Sequence, residues 1–387
     1  MGPLKGVRIL EFAGIGPVPM CGMLLAELGA TVLRLERPYA SNLGLKRPAR
    51  FNLTNRSRRS VVVNLKLPQG TVLALSLVKK ADALIEGFRP GTMERLGLSP
   101  ELCLEENPRL VYGRLSGWGQ EGPLANSAGH DLNYIALSGV LHAIGRKGQP
   151  PTPPLNLVGD YGGGALYLAL GIVSALLETQ RSGKGQVVDA SVIDGATSLM
   201  TSTYGLHAAG VHREPRGNNI GDSGAPYYDV YACADGKYVA VAAIEDKFRA
   251  DLFKLLGIAD EWINRSIARE NWDELRELIQ ARFVTRNRDE WCALLEGTDA
   301  CFAPVLSMAE APSHPHHRAR NSFVEVGGVV QPAPAPRFSR TVSDAPTPPE
   351  ETPGENDEQA MREWGFTEQE VHDLRVDNAL VRHRDGG

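Results

Sequence analysis

A chain of 387 residues, 42% hydrophobic and 22% charged, is long enough for two packed cores and too apolar for a disordered protein. Its 46 acidic against 41 basic residues leave a formal charge of −5, which argues against a nucleic-acid binder. Five scattered cysteines (Cys21, Cys103, Cys233, Cys292, Cys301) without a CxxC pair suggest neither a disulfide framework nor a zinc site and fit a reducing cytoplasm.

The N-terminal run "VRILEF" reads as a strand, and Glu11 within it interrupts the apolar stretch that a signal peptide needs. The turn-rich "AGIGPVP", the helix-like "MCGMLLAELGA" and a second strand "TVLRLE" ending in Glu36 complete a β-loop-α-β opening. Pro17 and Pro19 lack the N–H donors that would hold a pyrophosphate, which argues against a nicotinamide or flavin turn. Strand-like "SVVVNL", "ALIEGF" and "LVYGRLSG" then alternate with helix-like stretches, as in a parallel sheet covered on both faces. The fold class is α/β, with a large Rossmann-like domain over 1–198 and a linker over 199–223. A hairpin-like pair in "GAPYYDVYACADGKYVAVAAI", followed by amphipathic helices, reads as a smaller α+β domain over 224–310. The remainder, 311–387, is a proline-rich strap and a closing helix, opened by Thr367 and Glu370 at capping-box spacing, that returns to the large domain. The longest apolar run, "ALYLALGIVSALL", is shorter than a membrane span and reads as a buried helix.

Three groups stand out chemically. In "PPLNLVGDYGGG" a single carboxylate, Asp160, precedes three glycines and a helical run. It reads either as a helix cap or as a reactive acid beside unhindered backbone N–H groups, and the glycines themselves read either as an oxyanion nest or as tight helix packing. In "SAGHDLNYIALSG", His130 sits at another loop–helix junction with Asp131 as the cap, and imidazole is suited to moving protons near neutral pH. Glu245, after "VAAI", is either a helix-start acid or the orienter of a catalytic imidazole.

A basic cluster (Arg34, Arg37, Lys46, Arg47, Arg50, Arg56, Arg58, Arg59, Lys66) and the turn "EGFRPGTMERLG", with Arg89 and Arg95, offer places for phosphates. The "HPHH" stretch at His314, His316 and His317 lacks an acid at ligand spacing and reads as a loop, so no metal is expected.

The ordered motifs "LEFAGIGPVPMCGMLLAELGATVLRLERP", "EGFRPGTMERLGL", "AGHDLNYIALSGVLHAIGR", "PLNLVGDYGGG", "SGKGQVVDASVIDG", "GAPYYDVY", "VAAIE" and "GTDACFAPVL", spread over residues 4–306, resemble those of the α-methylacyl-CoA racemases in the family III CoA transferase fold group. The resemblance implies a homodimer of two interlocked chains and a 1,1-proton transfer on 2-methylacyl-CoA thioesters through an enolate. His130 and Asp160 would be the two bases and Glu245 the partner of the histidine. It further implies that Arg37, Val63, Asn64, Leu65, Lys66, Arg89 and Arg95 line the CoA site, with Gly129, Asp131, Asn133, Tyr134 and Asn156 toward the thioester. No cofactor beyond the CoA carried by the substrate is implied, and no nucleic-acid or membrane partner. Two alternatives remain: CoA transfer with Asp160 as nucleophile, and a non-catalytic CoA-binding protein. The C-terminal "RHRDGG" carries no peroxisomal signal, and the expectation is a cytoplasmic enzyme.

Overall fold

A computed structural model describes residues 2–40 and 44–384, so the last three residues of "RHRDGG" lie outside the described residues. The chain divides into two compact units. The first comprises 1–138, 155–199 and 321–387, and the second 139–154 and 200–320. The stretch 199–223, read from the sequence as a linker, instead carries the helix Thr201–Ala208 within the second unit, which also takes 139–154.

In the first unit six strands form one parallel sheet: β1 (Arg8–Phe12), β2 (Thr31–Glu36), β3 (Arg59–Val62), β4 (Ala83–Glu86), β5 (Val111–Ser116) and β6 (Gln186–Ser191). Their order is β3-β2-β1-β4-β5-β6, so the direction of winding reverses between β1 and β4. Strand interiors are apolar on both faces because helices cover both. Leu10, Phe12, Leu33 and Leu35 pack with Leu73, Leu77 and the C-terminal Met361 and Trp364. Ile9 and Val32 pack with Leu25, Leu168 and Ile172. The segment after the proline-rich strap thus supplies part of this core, through the helix Asp357–Glu363.

One residue breaks the apolar rule. Glu11, fully buried in β1, meets the buried guanidinium groups of Arg34 (3.3 Å) and Arg58. Arg56 pairs likewise with buried Glu27 at 2.5 Å. Three members of the basic cluster are therefore internal counter-ions, and burial rather than ligand binding explains them.

The long helix Leu166–Ser182 is preceded without a break by a π-helical stretch, Leu157–Ala165. Together they span 26 residues, long and apolar enough by composition to cross a membrane, where the sequence reading counted only a shorter run. Here the helix lies on the sheet, with Leu168 and Ile172 fitting the space left by Gly113 of β5.

The second unit holds a three-stranded antiparallel sheet of β7 (Tyr228–Ala232), β8 (Tyr238–Ala242) and β9 (Phe302–Pro304). The helices Asp246–Leu256, Trp272–Phe283 and Arg288–Leu295 cover it around Val239, Val241, Phe253, Ile279 and Trp291. A separate hairpin of the first unit pairs β10 (Phe323–Val326) with β11 (Val329–Pro332).

Candidate active site

Ligands of open α/β sheets bind beyond the carboxyl ends of the strands where the winding reverses. At that point, between the ends of β1 and β4, lies a cavity of about 250 Å³. Ile15–Val18 border it on one side, Gly87–Pro90 on another, and His130, Tyr134 and Asp160 also line it. A second cavity of about 700 Å³ shares Phe88 and Arg89 with the first. Its walls carry Arg37, Val63, Asn64, Leu65, Lys66, Arg89 and Arg95, all seven residues assigned from the sequence to the CoA site.

Asp160 does not cap a helix. It sits inside the π-helical stretch, whose wide turn places its carboxylate against Gly16. Gly16 has φ 72°, and a Cβ there would stand 3.3 Å from Asp160 Oδ2. Burial and the neighbouring Asp131 push the Asp160 carboxyl up to about 6, opposed by a hydrogen bond from Asn156 and by the His130 imidazole.

Asp131 is not a cap either. His130 occupies that position before the helix Asp131–Leu137, and its backbone N–H donates to Asn133 Oδ1 at 3.0 Å. Asn133 thus fixes the turn that carries the imidazole. Asp131 turns the other way, where its Oδ1 accepts the N–H of Asp160 at 2.6 Å. Tyr134 donates its hydroxyl to the Gly129 carbonyl and meets Trp118 edge to face, ring centroids 4.7 Å apart. A side chain at Gly129 would strike both rings.

The glycines after Asp160 serve packing. A Cβ on Gly163 would stand 2.5 Å from the backbone N of Ala196, and one on Gly164 would press on Pro17 and Val192. Neither lines the cavity, so of the two readings of "GGG" these glycines fit tight packing, against the helix Val192–Leu199, and not an oxyanion nest. Gly16 and Trp118 escaped the sequence reading as site residues. The turn at Gly16 was visible in "AGIGPVP", whereas nothing in "LSGWGQ" marks Trp118.

Glu245 belongs to the second unit, as the exposed residue before the helix Asp246–Leu256. "HPHH" opens the short helix Pro315–Arg320 rather than a loop, with His314 Nε2 2.9 Å from Glu296. Among the described residues no group of three or more His, Cys, Asp or Glu is placed to hold a metal ion.

A carboxyl raised to about 6 and an imidazole, lining one small cavity that shares Phe88 and Arg89 with the cavity of Arg37 and Lys66, can exchange protons with a ligand's reactive carbon. Residues 4–358 match the model of the CoA-transferase family III. The chain is 44% identical to an α-methylacyl-CoA racemase of Mus musculus, over 97% of each chain. It is 40% identical to one of Homo sapiens, over 98% of each. The crystal structure of a CAIB/BAIF family protein from Brucella suis superposes with a TM-score of 0.80 at 26% identity, covering 94% of this chain and 99% of that one.

Proposed function

The chain belongs to CoA-transferase family III, and on that premise we propose that it is an isomerase that interconverts the (R) and (S) forms of 2-methylacyl-CoA thioesters. The racemase relatives, 44% and 40% identical over nearly the whole chain, support this reading. The observation that carries it is the presence of His130 and Asp160 in the wall of one cavity.

Inversion at carbon needs two proton carriers, because a single base tends to return the proton to the face it left. One of His130 and Asp160 removes the α-proton. The planar enolate forms, and the conjugate acid of the other delivers a proton to the opposite face. With its carboxyl raised to about 6, Asp160 can serve as base in one direction and acid in the other. Apolar and aromatic walls from Val18, Leu115, Trp118 and Val192 limit water around the enolate. Glu245 is assigned the orienting of the imidazole. The larger cavity takes the CoA portion, where Arg37, Lys66, Arg89 and Arg95 meet its phosphates. No further cofactor is invoked.

The reversal in strand order supports a Rossmann-like description of the first unit. A homodimer is supported by the apolar stripe Leu166, Leu170 and Leu177, which is half or more exposed. All five cysteines are free thiols, which supports a reducing cytoplasm.

CoA transfer is the second reading, favoured by the family's name and by a carboxylate, Asp160, that could attack a thioester. The test is incubation with one epimer of a 2-methylacyl-CoA in deuterated water without an acceptor acid. Inversion with α-deuterium uptake is expected. Neither inversion nor exchange, followed by CoA movement on adding a free acid, would sink the racemase reading.

A further inference from the structure

Beside the larger cavity runs a segment that the sequence motifs did not include, the C-terminal tail. After the buried Ala379 and Leu380, the chain runs along the ends of β2 and β3, the two strands whose following residues carry Arg37 and Lys66. Val381 N–H donates to the Val62 carbonyl at 3.0 Å, and Arg384 N–H donates to the Pro38 carbonyl at 2.8 Å. Leu380 bridges Val63 in antiparallel fashion and Arg384 bridges Tyr39 in parallel fashion. The C-terminal tail is thus added to the sheet beside the cationic groove rather than trailing from it.

His383 lies between these anchors. Its Nδ1 stands 3.2 Å from the carbonyl oxygen of Arg37, and since a carbonyl only accepts, Nδ1 carries the proton and donates. This fixes the ring and leaves Nε2 of the neutral imidazole as an acceptor, open to a hydroxyl or amino donor. His383 lines a pocket of about 70 Å³ that shares Ala13, Glu36, Arg37, Tyr39 and Ala40 with the larger cavity. In the sequence Arg382 and Arg384 flank His383, and the backbone of Arg384 is tied to Pro38, next to Arg37 of the cavity wall. Arg382 differs from its neighbours in acting electrostatically on Glu358.

We propose that the tail completes the nucleotide end of the CoA site, with His383 Nε2 accepting from a ribose hydroxyl or the adenine amino group and Arg384 meeting a nucleotide phosphate alongside Arg37. The proposal rests on the CoA reading of the larger cavity. The tail's work is to hold substrate, not to move protons. It therefore acts on the nucleotide and leaves the acyl-pantetheine half, which lies toward His130 and Asp160, untouched.

Calorimetric titration of CoA, 3′,5′-ADP and pantetheine into the wild-type protein and into His383→Ala, Arg384→Ala and Arg382→Ala tests it. Each of the first two substitutions should weaken CoA and 3′,5′-ADP by about tenfold, the worth of one well-made polar contact, and leave pantetheine unchanged. Arg382→Ala should bind all three like wild type. With an acyl-CoA substrate, KM should rise by a similar factor at constant kcat. These side chains are partly or fully exposed, so the variants should fold. Wild-type binding of CoA with affinities of His383→Ala and Arg384→Ala within twofold of it would overturn the tail's role alone. An equal loss for pantetheine would overturn it too. A wild-type protein that binds no CoA would overturn the CoA reading and this proposal with it.

Discussion

Asp131 Oδ1 accepts the backbone N–H of Asp160 at 2.6 Å, so one acid holds another in place. The N–H of Gly159 also points to Asp131, and a Cβ on Gly159 would stand 2.2 Å from Asp131 Oδ1. The same closeness makes Asp131 the second cause, after burial, of the raised Asp160 carboxyl. Asp131→Asn keeps an acceptor for both N–H groups and removes the charge. The acid limb of kcat/KM, in the direction where Asp160 is the base, should therefore move to lower pH. An unmoved limb would separate Asp131 from the titration.

Asp160→Asn should lower kcat by about 10²- to 10⁴-fold, the usual worth of a general acid or base. Its effect on stability has the opposite sign. The native carboxyl holds its proton up to about 6 against 3.8 in the unfolded chain, so its contribution to stability is complete below 3.8 and is lost as pH rises through 6. The amide does not suffer that loss. At pH 7.5 the variant should melt above wild type by roughly 2–4 °C, and the two should converge near pH 4. A variant less stable than wild type at pH 7.5 would mean that the carboxylate is held by partners stronger than its burial.

Glu245 makes no side-chain cap to its own helix, so Glu245→Gln should leave melting unchanged. If it orients the imidazole, turnover should fall less than in Asp160→Asn and the pH profile should shift. A profile identical to wild type would remove Glu245 from the mechanism.

Gly163→Ala places a methyl group 2.5 Å from the backbone N of Ala196 and 3.0 Å from the Val192 carbonyl, atoms that no rotamer change can move. A loss of roughly 1–3 kcal/mol is expected on urea unfolding. Gly205→Ala, in a helix with no atom within 4 Å of the new methyl, should be neutral or stabilising by up to about 1 kcal/mol. Equal effects at the two sites would argue that helix propensity, not crowding, decides.

Much of the fold was legible because parallel strands buried on both faces write themselves as apolar runs. "VRILEF", "TVLRLE" and "LVYGRLSG" became β1, β2 and β5. His130 and Asp160 were legible because each stands in a short motif beside a helical run, and the structure brings them to one cavity although Asp160 lies inside the π-helical stretch rather than at its start. What sequence could not show depends on atoms far apart in the chain. Whether Gly163 bares a backbone or admits a neighbour depends on Val192 and Ala196. Whether Arg58 meets a ligand or a buried acid depends on Glu11, 47 residues away. The part of the tail in the site depends on the bridges to Tyr39 and Val63.

The Glu11 cluster gives the last prediction. Arg34 and Arg58, both buried, converge on Glu11, and Arg58 keeps Nε and Nη2 without partners among the described residues. Such a cluster tolerates no further loss of compensation, because the charges cannot reach water. Glu11→Gln should cost about 3–5 kcal/mol, read from the urea midpoint at constant m value. Arg59→Ala, which removes a partly exposed pair with Glu363, should cost less than about 1 kcal/mol. Glu11 lies two residues before Ala13 of the larger cavity, so Glu11→Gln should also weaken CoA binding if the ion cluster holds that edge of the sheet. Full stability in Glu11→Gln would mean that the two arginines find other partners or water, and would take the cluster out of the account of both the fold and the site.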